Sequence, residues 1–366
     1  MKVLHVINGE HYSGAERVQD LLADGLAREG IDCSFALIKS GRFLRSRTSK
    51  VASFDFSMGS RLDVWQIQRL ARFVESERFE AVHSHTPRAA IVSAAVRGLT
   101  GVHHFHHGHS PTDQDSSRKI MNRVNVLAEG FSIRGCSHLF AVSQGVADYF
   151  ASIGVSQDRV TVIDNGVPAR DTIAYTDSFH AGRALRVGMT ALFRPRKGLE
   201  IALEAVSKVR ASGTGIEFVG IGPFESPQYE ERMRLLTSSL GLDDAVSWTG
   251  FTTDVHARLL DLDVFLFPSL YGEGLPMALI EAMSVGLPTI GSDISGVAGP
   301  LGKGCGLLVP PGDADALSRA IKRLSVDAGL RTSLSAAAFE RQRSGYSDRS
   351  MSSSLATVYR RYLCET

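Results

Sequence analysis

The chain of 366 residues has few cysteines and no long hydrophobic run. Its four cysteines, Cys33, Cys136, Cys305 and Cys364, form no C-x-x-C pair, so neither a disulfide framework nor a zinc finger is indicated. No run reaches the roughly 18 apolar residues of a membrane-spanning helix. The first residues are too polar for a signal peptide. We therefore expect a cytoplasmic protein.

Neither positive nor negative charge predominates in the sequence. The sequence holds 40 Lys and Arg against 39 Asp and Glu, for a net charge of +1, which gives no indication of a nucleic-acid partner. The segment from Lys39 to Arg78 departs from this balance, because its basic residues outnumber its acidic ones. Two interpretations stay open for it: an ordinary solvated surface, or peripheral contact with anionic lipid on the inner face of a membrane.

Two nucleotide-binding signatures are absent. Neither half shows G-x-G-x-x-G after its first strand, since Gly220-Ile221-Gly222-Pro223 places a proline where a backbone donor is needed. This disfavours a nicotinamide or flavin enzyme. No G-x-x-x-x-G-K-[ST] occurs either, which excludes an ATPase of the P-loop type.

What the sequence does contain is a regular alternation of strand-like and helix-like segments. In the first half we predict strands at 3–7, 34–38, 81–83, 139–142 and 160–163 and helices at 15–29, 64–77 and 145–152. In the second half we predict strands at 185–188, 216–220, 246–248, 264–267 and 289–290 and helices at 198–211, 230–240, 314–324 and 351–363. This order is typical of an α/β protein with parallel, doubly wound sheets.

The length exceeds what one core normally supports, so two domains are predicted. The first is expected to cover residues 1–166, followed by a polar linker at 167–183 and a second domain at 184–345. A terminal helix at 346–366 is interpreted as crossing back to the first domain. Since ligands of such sheets bind beyond the carboxyl ends of the strands, we expect the site in the cleft between the domains.

The most informative segment runs from a predicted buried strand, ending at Phe267, into a predicted helix beginning near Pro276. The glycine-containing loop and the helix N-terminus between them favour a phosphate or diphosphate. Two carboxylates, Glu273 and Glu281, flank this point, and carboxylate oxygens suit sugar or ribose hydroxyls. A glycosidase pair is disfavoured, because eight residues of helix span about 12 Å against about 5 to 9.5 Å for hydrolases.

Several motifs follow in an order that resembles one family. The segment has the pattern E-x7-E at Glu273 and Glu281, followed by Ala282-Met283 and Gly286-Leu287-Pro288. Further matches are Gly14-Ala15-Glu16, His83-Ser84-His85, His107-Gly108, Asn165-Gly166-Val167, Arg196-Lys197-Gly198 and Leu308-Val309-Pro310-Pro311-Gly312-Asp313. Together they resemble retaining glycosyltransferases of family 4, whose fold, GT-B, has two Rossmann-like domains with parallel sheets facing an interdomain cleft.

The resemblance implies roles for individual residues. Catalytic roles fall on His107, against the donor sugar, on Lys197, against the diphosphate, and on Glu273, at the sugar end. The implied donor-binding residues are Gly14, Arg194, Arg196, Lys197, Gly274, Leu275, Pro276, Met277 and Glu281, the last accepting from the ribose. The first domain would bind the acceptor and the second the nucleotide sugar. Domain closure would complete the site and exclude water.

The histidine-rich run from His103 to His109 raises the question of a metal. Adjacent histidines on a strand point to opposite faces, and no carboxylate or cysteine is spaced to complete a closed site. We therefore expect no metal and no cofactor besides the nucleotide-sugar donor, with UDP preferred to GDP.

The resulting prediction is a retaining enzyme that moves a hexosyl unit from a nucleotide-diphosphate sugar to a hydroxyl of a glycan or lipid-linked glycan, in cell-envelope or exopolysaccharide synthesis. Two departures limit it: Leu192 stands near where the family has a phosphate-binding arginine, and residues 295–299 lack the usual acidic residue. We expect Arg194 or Arg196 to compensate. The alternatives are a GT-B nucleotide-sugar epimerase and a catalytically impaired nucleotide-sugar binding protein.

Overall fold

The structure is a computed structural model, and it describes residues 1–114, 119–180 and 182–364. The chain divides into two units. The first unit joins Met1–Gly166 to Ser347–Thr366, and the second is Val167–Tyr346. Residues 167–183, interpreted above as a linker, belong to the second unit.

The first unit is built on a seven-stranded sheet. Its strands are β1 (Lys2–Ile7), β2 (Asp32–Leu37), β3 (Ser53–Asp55), β4 (Ala81–Ser84), β5 (His103–Gly108), β6 (His138–Ala141) and β7 (Val160–Val162). Its helices up to that point are α1 (Gly14–Arg28), α2 (Phe43–Ser46), α3 (Val64–Ser76), α4 (Pro87–Thr100), α5 (Lys119–Ile133) and α6 (Gln144–Ser152).

The sheet of the first unit has the order β3-β2-β1-β4-β5-β6-β7, and each strand pairs in parallel with its neighbours. Val3 to Ile7 of β1 are fully buried, as expected for a strand covered by helices on both faces. The chain leaves β1 toward one edge first and later returns to start β4 beside it. The pair β1–β4 is therefore the switch point of this sheet.

The second unit repeats the plan with six strands. These are β8 (Leu185–Thr190), β9 (Ile216–Ile221), β10 (Val246–Gly250), β11 (Val264–Phe267), β12 (Thr289–Ser292) and β13 (Leu307–Val309). The helices are α7 (Leu199–Ala211), α8 (Pro227–Ser239), α9 (Val255–Leu260), α10 (Met277–Val285), α11 (Ala298–Leu301), α12 (Ala314–Val326) and α13 (Ala328–Gly345). The order β10-β9-β8-β11-β12-β13 is again parallel, with its switch point between β8 and β11.

The prediction of an α/β protein with two parallel, Rossmann-like sheets is confirmed. Each unit has its own apolar core: Leu4, Val6 and Val82 belong to a cluster beneath α3 and α4, and Val187 and Phe218 to one beneath α7. Burying such side chains contributes about 1.5–3 kcal/mol each.

The last helix, α14 (Asp348–Leu363), belongs to the first unit and packs on α1. The contact is close, because a Cβ on Gly25 would lie 2.4 Å from the Cβ of Ser352. Arg28 Nη2 meets Asp348 Oδ2 at 2.6 Å, and Tyr359 is fully buried. The terminal helix thus contributes to the core of the first unit.

A separate question is whether any helix spans a membrane. None of the helices in the described ranges combines the length and the apolar character that a crossing requires.

Candidate functional site

The switch point of the second sheet places two loops side by side. One follows β8 and contains Arg194 to Lys197; the other follows β11 and contains Pro268 to Pro276. Because both strands are parallel, both loops leave from the carboxyl edge, where ligands of such sheets bind. The structure therefore brings the predicted basic residues and the first predicted glutamate to the same edge.

A glycine fixes the two loops against each other. Pro195–Lys197 form a 3₁₀ turn, and Gly198 then takes φ +69° as α7 begins. A Cβ on Gly198 would lie 2.0 Å from the carbonyl oxygen of Pro268, so only glycine fits the contact. The N–H of Leu270 donates to Arg196 O at 2.8 Å. The family's K-G element thus has a packing role in addition to any ligand role.

Glu273 lies at the centre of this edge, with two cations on one of its oxygens. Lys197 Nζ donates to Glu273 Oε1 at 2.6 Å, and Arg196 Nη1 donates to the same atom at 3.3 Å. Arg196 also donates to Gly272 O at 2.8 Å. The side chains are 15% exposed for Lys197, 13% for Arg196 and 6% for Glu273. We call these three residues the ion cluster.

The ion cluster keeps its carboxylate charged. Burial tends to raise the pKa of Glu273, but the charges of Lys197 and Arg196 outweigh it and hold that pKa below its usual range. Burial lowers the pKa of Lys197, and Glu273 opposes that change. Two cations face one carboxylate, so the cluster carries net positive charge at the edge where a ligand would bind.

The helix that follows adds a second favourable feature for anions. Pro276 precedes α10 in an extended conformation, and its own side chain makes no capping hydrogen bond to the first turn. The N–H groups of Met277 and Ala278 have no acceptor within the helix, as is general for a first turn. A Cβ on Gly296 would lie 2.1 Å from Gly274 O. The loop after β12 therefore packs directly against the loop that leads into α10.

The remaining predicted donor residues take different positions. Glu281 lies in the middle of α10 and is 9% exposed. Arg194 Nη1 lies 3.7 Å from Glu225 Oε1, whereas Leu192 is 43% exposed on the surface. Of the two arginines expected to compensate for Leu192, Arg196 is the one in the ion cluster. Its role toward a phosphate stays a prediction.

In the first unit, Gly14 is the first residue of α1. The carboxylate of Glu16 accepts from the N–H of Ser13 at 3.1 Å and from its hydroxyl at 2.5 Å. This reciprocal cap explains why glutamate follows the loop. The part expected of Gly14 in donor binding stays a prediction.

His107 lies near the carboxyl end of β5 and is 1% exposed. Its ring stacks on those of His83 and His109, with centroids 5.5 and 4.9 Å away. Within the part of the chain that the structure describes, neither ring nitrogen has a hydrogen-bond partner. Burial lowers its pKa well below the usual value, and the imidazole is therefore neutral near pH 7.

Sequence reasoning missed that histidines from three strands meet on one face. His5 of β1 pairs in register with His83 of β4, and β5 lies on the other side of β4. The members are His5, His83, His85, His107 and His109. The available signal was the recurrence of histidine at alternate positions, His83 with His85 and His107 with His109, which places each pair on one face.

Comparison with known proteins agrees with this geometry. The profile described as "Glycosyl transferases group 1" matches residues 179–341, and that described as "Glycosyltransferase Family 4" matches residues 12–171. HepE of Anabaena, solved in complex with UDP-glucose, superposes with a TM-score of 0.85 at 19% identity, covering 98% of this chain and 99% of HepE. The two parallel sheets and this superposition define a GT-B fold.

The chain is also similar in sequence to glycosyltransferases with named functions. The chain is 33% identical to the putative colanic acid biosynthesis glycosyltransferase WcaL of Salmonella typhimurium over 57% of its own length, and this match spans about half, 52%, of that relative. It is 27% identical to the lipopolysaccharide core biosynthesis glycosyltransferase LpsD of Rhizobium meliloti, over 99% of this chain and 98% of LpsD. Because the two profiles together match residues 12–171 and 179–341, the chain belongs to glycosyltransferase family 4.

Proposed function

We propose that this protein is a retaining glycosyltransferase that moves a hexosyl unit from a nucleotide-diphosphate sugar to a hydroxyl of a glycan or lipid-linked glycan. The single observation that carries the proposal is the ion cluster at the switch point of the second sheet. It brings net positive charge and a carboxylate to the edge of the sheet where helix α10 begins.

Each part of that edge suits one part of the donor. The diphosphate would meet Lys197 and Arg196 together with the first turn of α10. Both cations use Oε1 of Glu273, and the Ser269 side chain also hydrogen-bonds this carboxylate. A hydroxyl of the donor sugar would use the acceptor capacity that remains on it. Glu281 would accept from the ribose. Glu273 in this proposal both holds the two cations and touches the sugar.

The chemistry follows from charge rather than from a protein nucleophile. The bond between the sugar's anomeric carbon and the diphosphate oxygen breaks, and a bond from the acceptor oxygen forms on the same face. The leaving phosphate oxygen takes the acceptor proton. Lys197 and Arg196 would stabilise the charge that develops on the diphosphate, which needs no metal ion.

The comparisons support the biological setting of the proposal. WcaL is named for colanic acid biosynthesis, LpsD for lipopolysaccharide core biosynthesis, and HepE was solved with UDP and UDP-glucose. We infer that this chain uses a UDP-sugar in preference to a GDP-sugar and serves envelope or exopolysaccharide synthesis on the cytoplasmic side of the membrane.

The first test is calorimetric titration of the full chain with UDP-, GDP-, ADP- and TDP-sugars. We expect one UDP-sugar to bind. Glu281→Gln should weaken it about tenfold to a hundredfold, by loss of hydrogen bonds to the ribose. The matched control Glu231→Gln removes an exposed carboxylate from the same unit and should leave affinity unchanged. Absence of binding by every sugar nucleotide would refute the donor site.

The second test is turnover. Lys197→Ala should reduce transfer at least a hundredfold with less than a tenfold change in donor affinity, because its charge acts mainly on the leaving group. Lys208→Ala, which removes an exposed lysine paired with Asp315, is the control. The anomeric configuration of the product, measured by NMR, must match that of the donor. Binding without transfer would identify an impaired binder, and inversion at a ring carbon other than the anomeric one would identify an epimerase.

We also infer peripheral contact with an anionic membrane through the segment from Lys39 to Arg78. Its apolar side chains Leu62, Val64 and Trp65 are 72%, 64% and 68% exposed. Arg61 donates to Asn125 Oδ1 at 3.0 Å, which links the segment to α5, where Leu127 and Phe131 are 75% and 76% exposed. Exposed apolar side chains beside exposed arginines match a lipid interface.

Vesicle sedimentation tests this contact. The chain should bind vesicles that contain phosphatidylglycerol and bind pure phosphatidylcholine far less, because each Arg near an anionic surface contributes about 1 kcal/mol. Trp65→Ser should weaken binding about tenfold, whereas Phe251→Ser, which removes a 55% exposed side chain of the second unit, should not. Equal binding by the two variants would contradict the assignment.

A further inference from the structure

Three buried histidines meet on one face of the first unit's sheet, apart from the ion cluster. His5 and His83 are register partners on β1 and β4, and His85 follows His83 by two residues on the same face. Their exposures are 0%, 0% and 2%. We call His5, His83 and His85 the inner triad.

The spacing of the inner triad is close to that of a ligand set. One ring nitrogen from each histidine lies within 4.8 Å of the other two. His5 Nδ1 and His85 Nε2 are hydrogen-bonded to each other at 2.9 Å, and a bound ion would replace this hydrogen bond. Two nitrogens bound at about 2.0–2.1 Å to one tetrahedral zinc are about 3.3 Å apart, so a small outward movement of the rings would suffice.

One nitrogen of the inner triad has no partner of its own. His83 Nε2 is buried and makes no hydrogen bond among the residues that the structure describes. A buried polar atom without a partner costs about 1–3 kcal/mol.

We propose that the inner triad binds a divalent transition metal, zinc in the first place, as a structural site in the core of the first unit. Neutral imidazoles suit zinc, and three of them leave one coordination position for a further ligand. The hydroxyl of Tyr359 hydrogen-bonds His83 Nδ1, which orients that ring and leaves Nε2 for the ion. The proposal is independent of the transferase function, whose chemistry uses no metal.

A second set of histidines, His85, His107 and His109, lies nearer the carboxyl edge. His109 is only partly buried, and His107 is the residue assigned to the donor sugar. The inner triad is the better candidate because all three of its members are shielded from water. Unpartnered nitrogens do not separate the two sets, since His107 and His109 also carry them.

Metal analysis of the full chain tests the proposal directly. Purified protein should contain about one zinc per chain by mass spectrometry. After stripping with a chelator, it should rebind zinc stoichiometrically in competition with a chromophoric chelator, with a rise in melting temperature. His83→Gln should lower zinc affinity about a hundredfold or more. The matched control His104→Gln removes an equally buried histidine from the opposite face of β5 and should retain zinc.

Three results would overturn the assignment. In the first, wild-type protein contains no metal and its melting temperature does not change when zinc is added. The triad would then be a hydrogen-bonded histidine cluster, whether or not any variant folds. Zinc retained by His83→Gln but lost by His109→Gln would place the metal in the other set. Zinc lost equally by His104→Gln would show that the effect is not local. Titrating the zinc-stripped protein with a UDP-sugar tests the donor site separately. Failure of the zinc proposal is thereby distinguished from failure of the donor-site proposal.

Discussion

Replacing Glu273 by glutamine is the sharpest test of the ion cluster. The substitution keeps the size of the side chain and a carbonyl oxygen near Lys197 and Arg196, but removes the charge. Hydrogen bonds to charged groups contribute about 1.5–3 kcal/mol each and neutral ones about 0.5–1.5. Two such bonds, at 2.6 and 3.3 Å, are affected. We therefore expect the second unit to lose about 2–3 kcal/mol of unfolding free energy.

The loss of unfolding free energy in Glu273→Gln should become smaller at acid pH. The folded pKa of Glu273 is below the ordinary 4.5, so its stabilisation is present above pH 4.5 and disappears as pH falls through the folded pKa. The difference between wild type and Glu273→Gln should thus be constant near neutral pH and shrink below about 4.5. Affinity for free UDP should hold or rise, because the variant's cluster is more positive.

Urea unfolding provides the assay. The chain has two tryptophans, one in each unit, so Trp65→Phe leaves Trp248 as a reporter of the second unit alone. The control is Glu225→Gln, whose carboxylate is 49% exposed and 3.7 Å from Arg194. It should cost less than about 0.5 kcal/mol. A loss equal to the control's at pH 7, or an unchanged loss at acid pH, would refute the reasoning.

Two further predictions concern local structure. Gly198→Ala should destabilise the second unit by about 2 kcal/mol or more, through the Pro268 contact added to its positive φ. Gly213→Ala, with φ +86° but no atom within 4 Å of its Cβ, should cost about half as much in the same urea assay; equal costs would exclude the contact as the cause. Burial, with the charges of Arg361 and Arg159, lowers the pKa of His138 to about 4. Its stabilising effect is therefore lost as pH falls from 6.5 toward 4, at up to about 1.4 kcal/mol per pH unit. His138→Gln should reduce the pH slope of the first unit's unfolding free energy, measured with urea, by up to about 1.4 kcal/mol per pH unit. An unchanged slope would contradict the lowered pKa of His138.

The sheet could be predicted because its strands are short, apolar and bounded by turn residues. Val3 to Ile7 and Val264 to Phe267 are buried on both faces, so each shows as an unbroken run. The longer helices that were not predicted are α4, α5 and α13. In α4 the apolar residues spread around the helix rather than along one stripe. In α13, Arg331 and Gln342 are polar but buried, so the side of the helix that faces the core does not form an apolar stripe in the sequence.

The candidate site was predictable only in part. The loop and helix around Glu273 follow from local signals, but its pairing with Lys197 joins residues 76 positions apart, which no local pattern contains. Sequence reasoning assigned Lys197 to a phosphate without foreseeing that Glu273 holds it. The inner triad was missed because its histidines come from different strands, and only the register of β1 against β4 brings them together.

The position of α14 has a consequence for synthesis. Its Tyr359 fills the core of the first unit, yet residues 167–346 are translated before it. At about 5–20 residues per second, a ribosome needs roughly 10–40 s for that stretch. Throughout this interval the nascent first unit lacks one side of its core and exposes apolar surface. Chaperones should therefore engage the amino-terminal part until the last helix emerges.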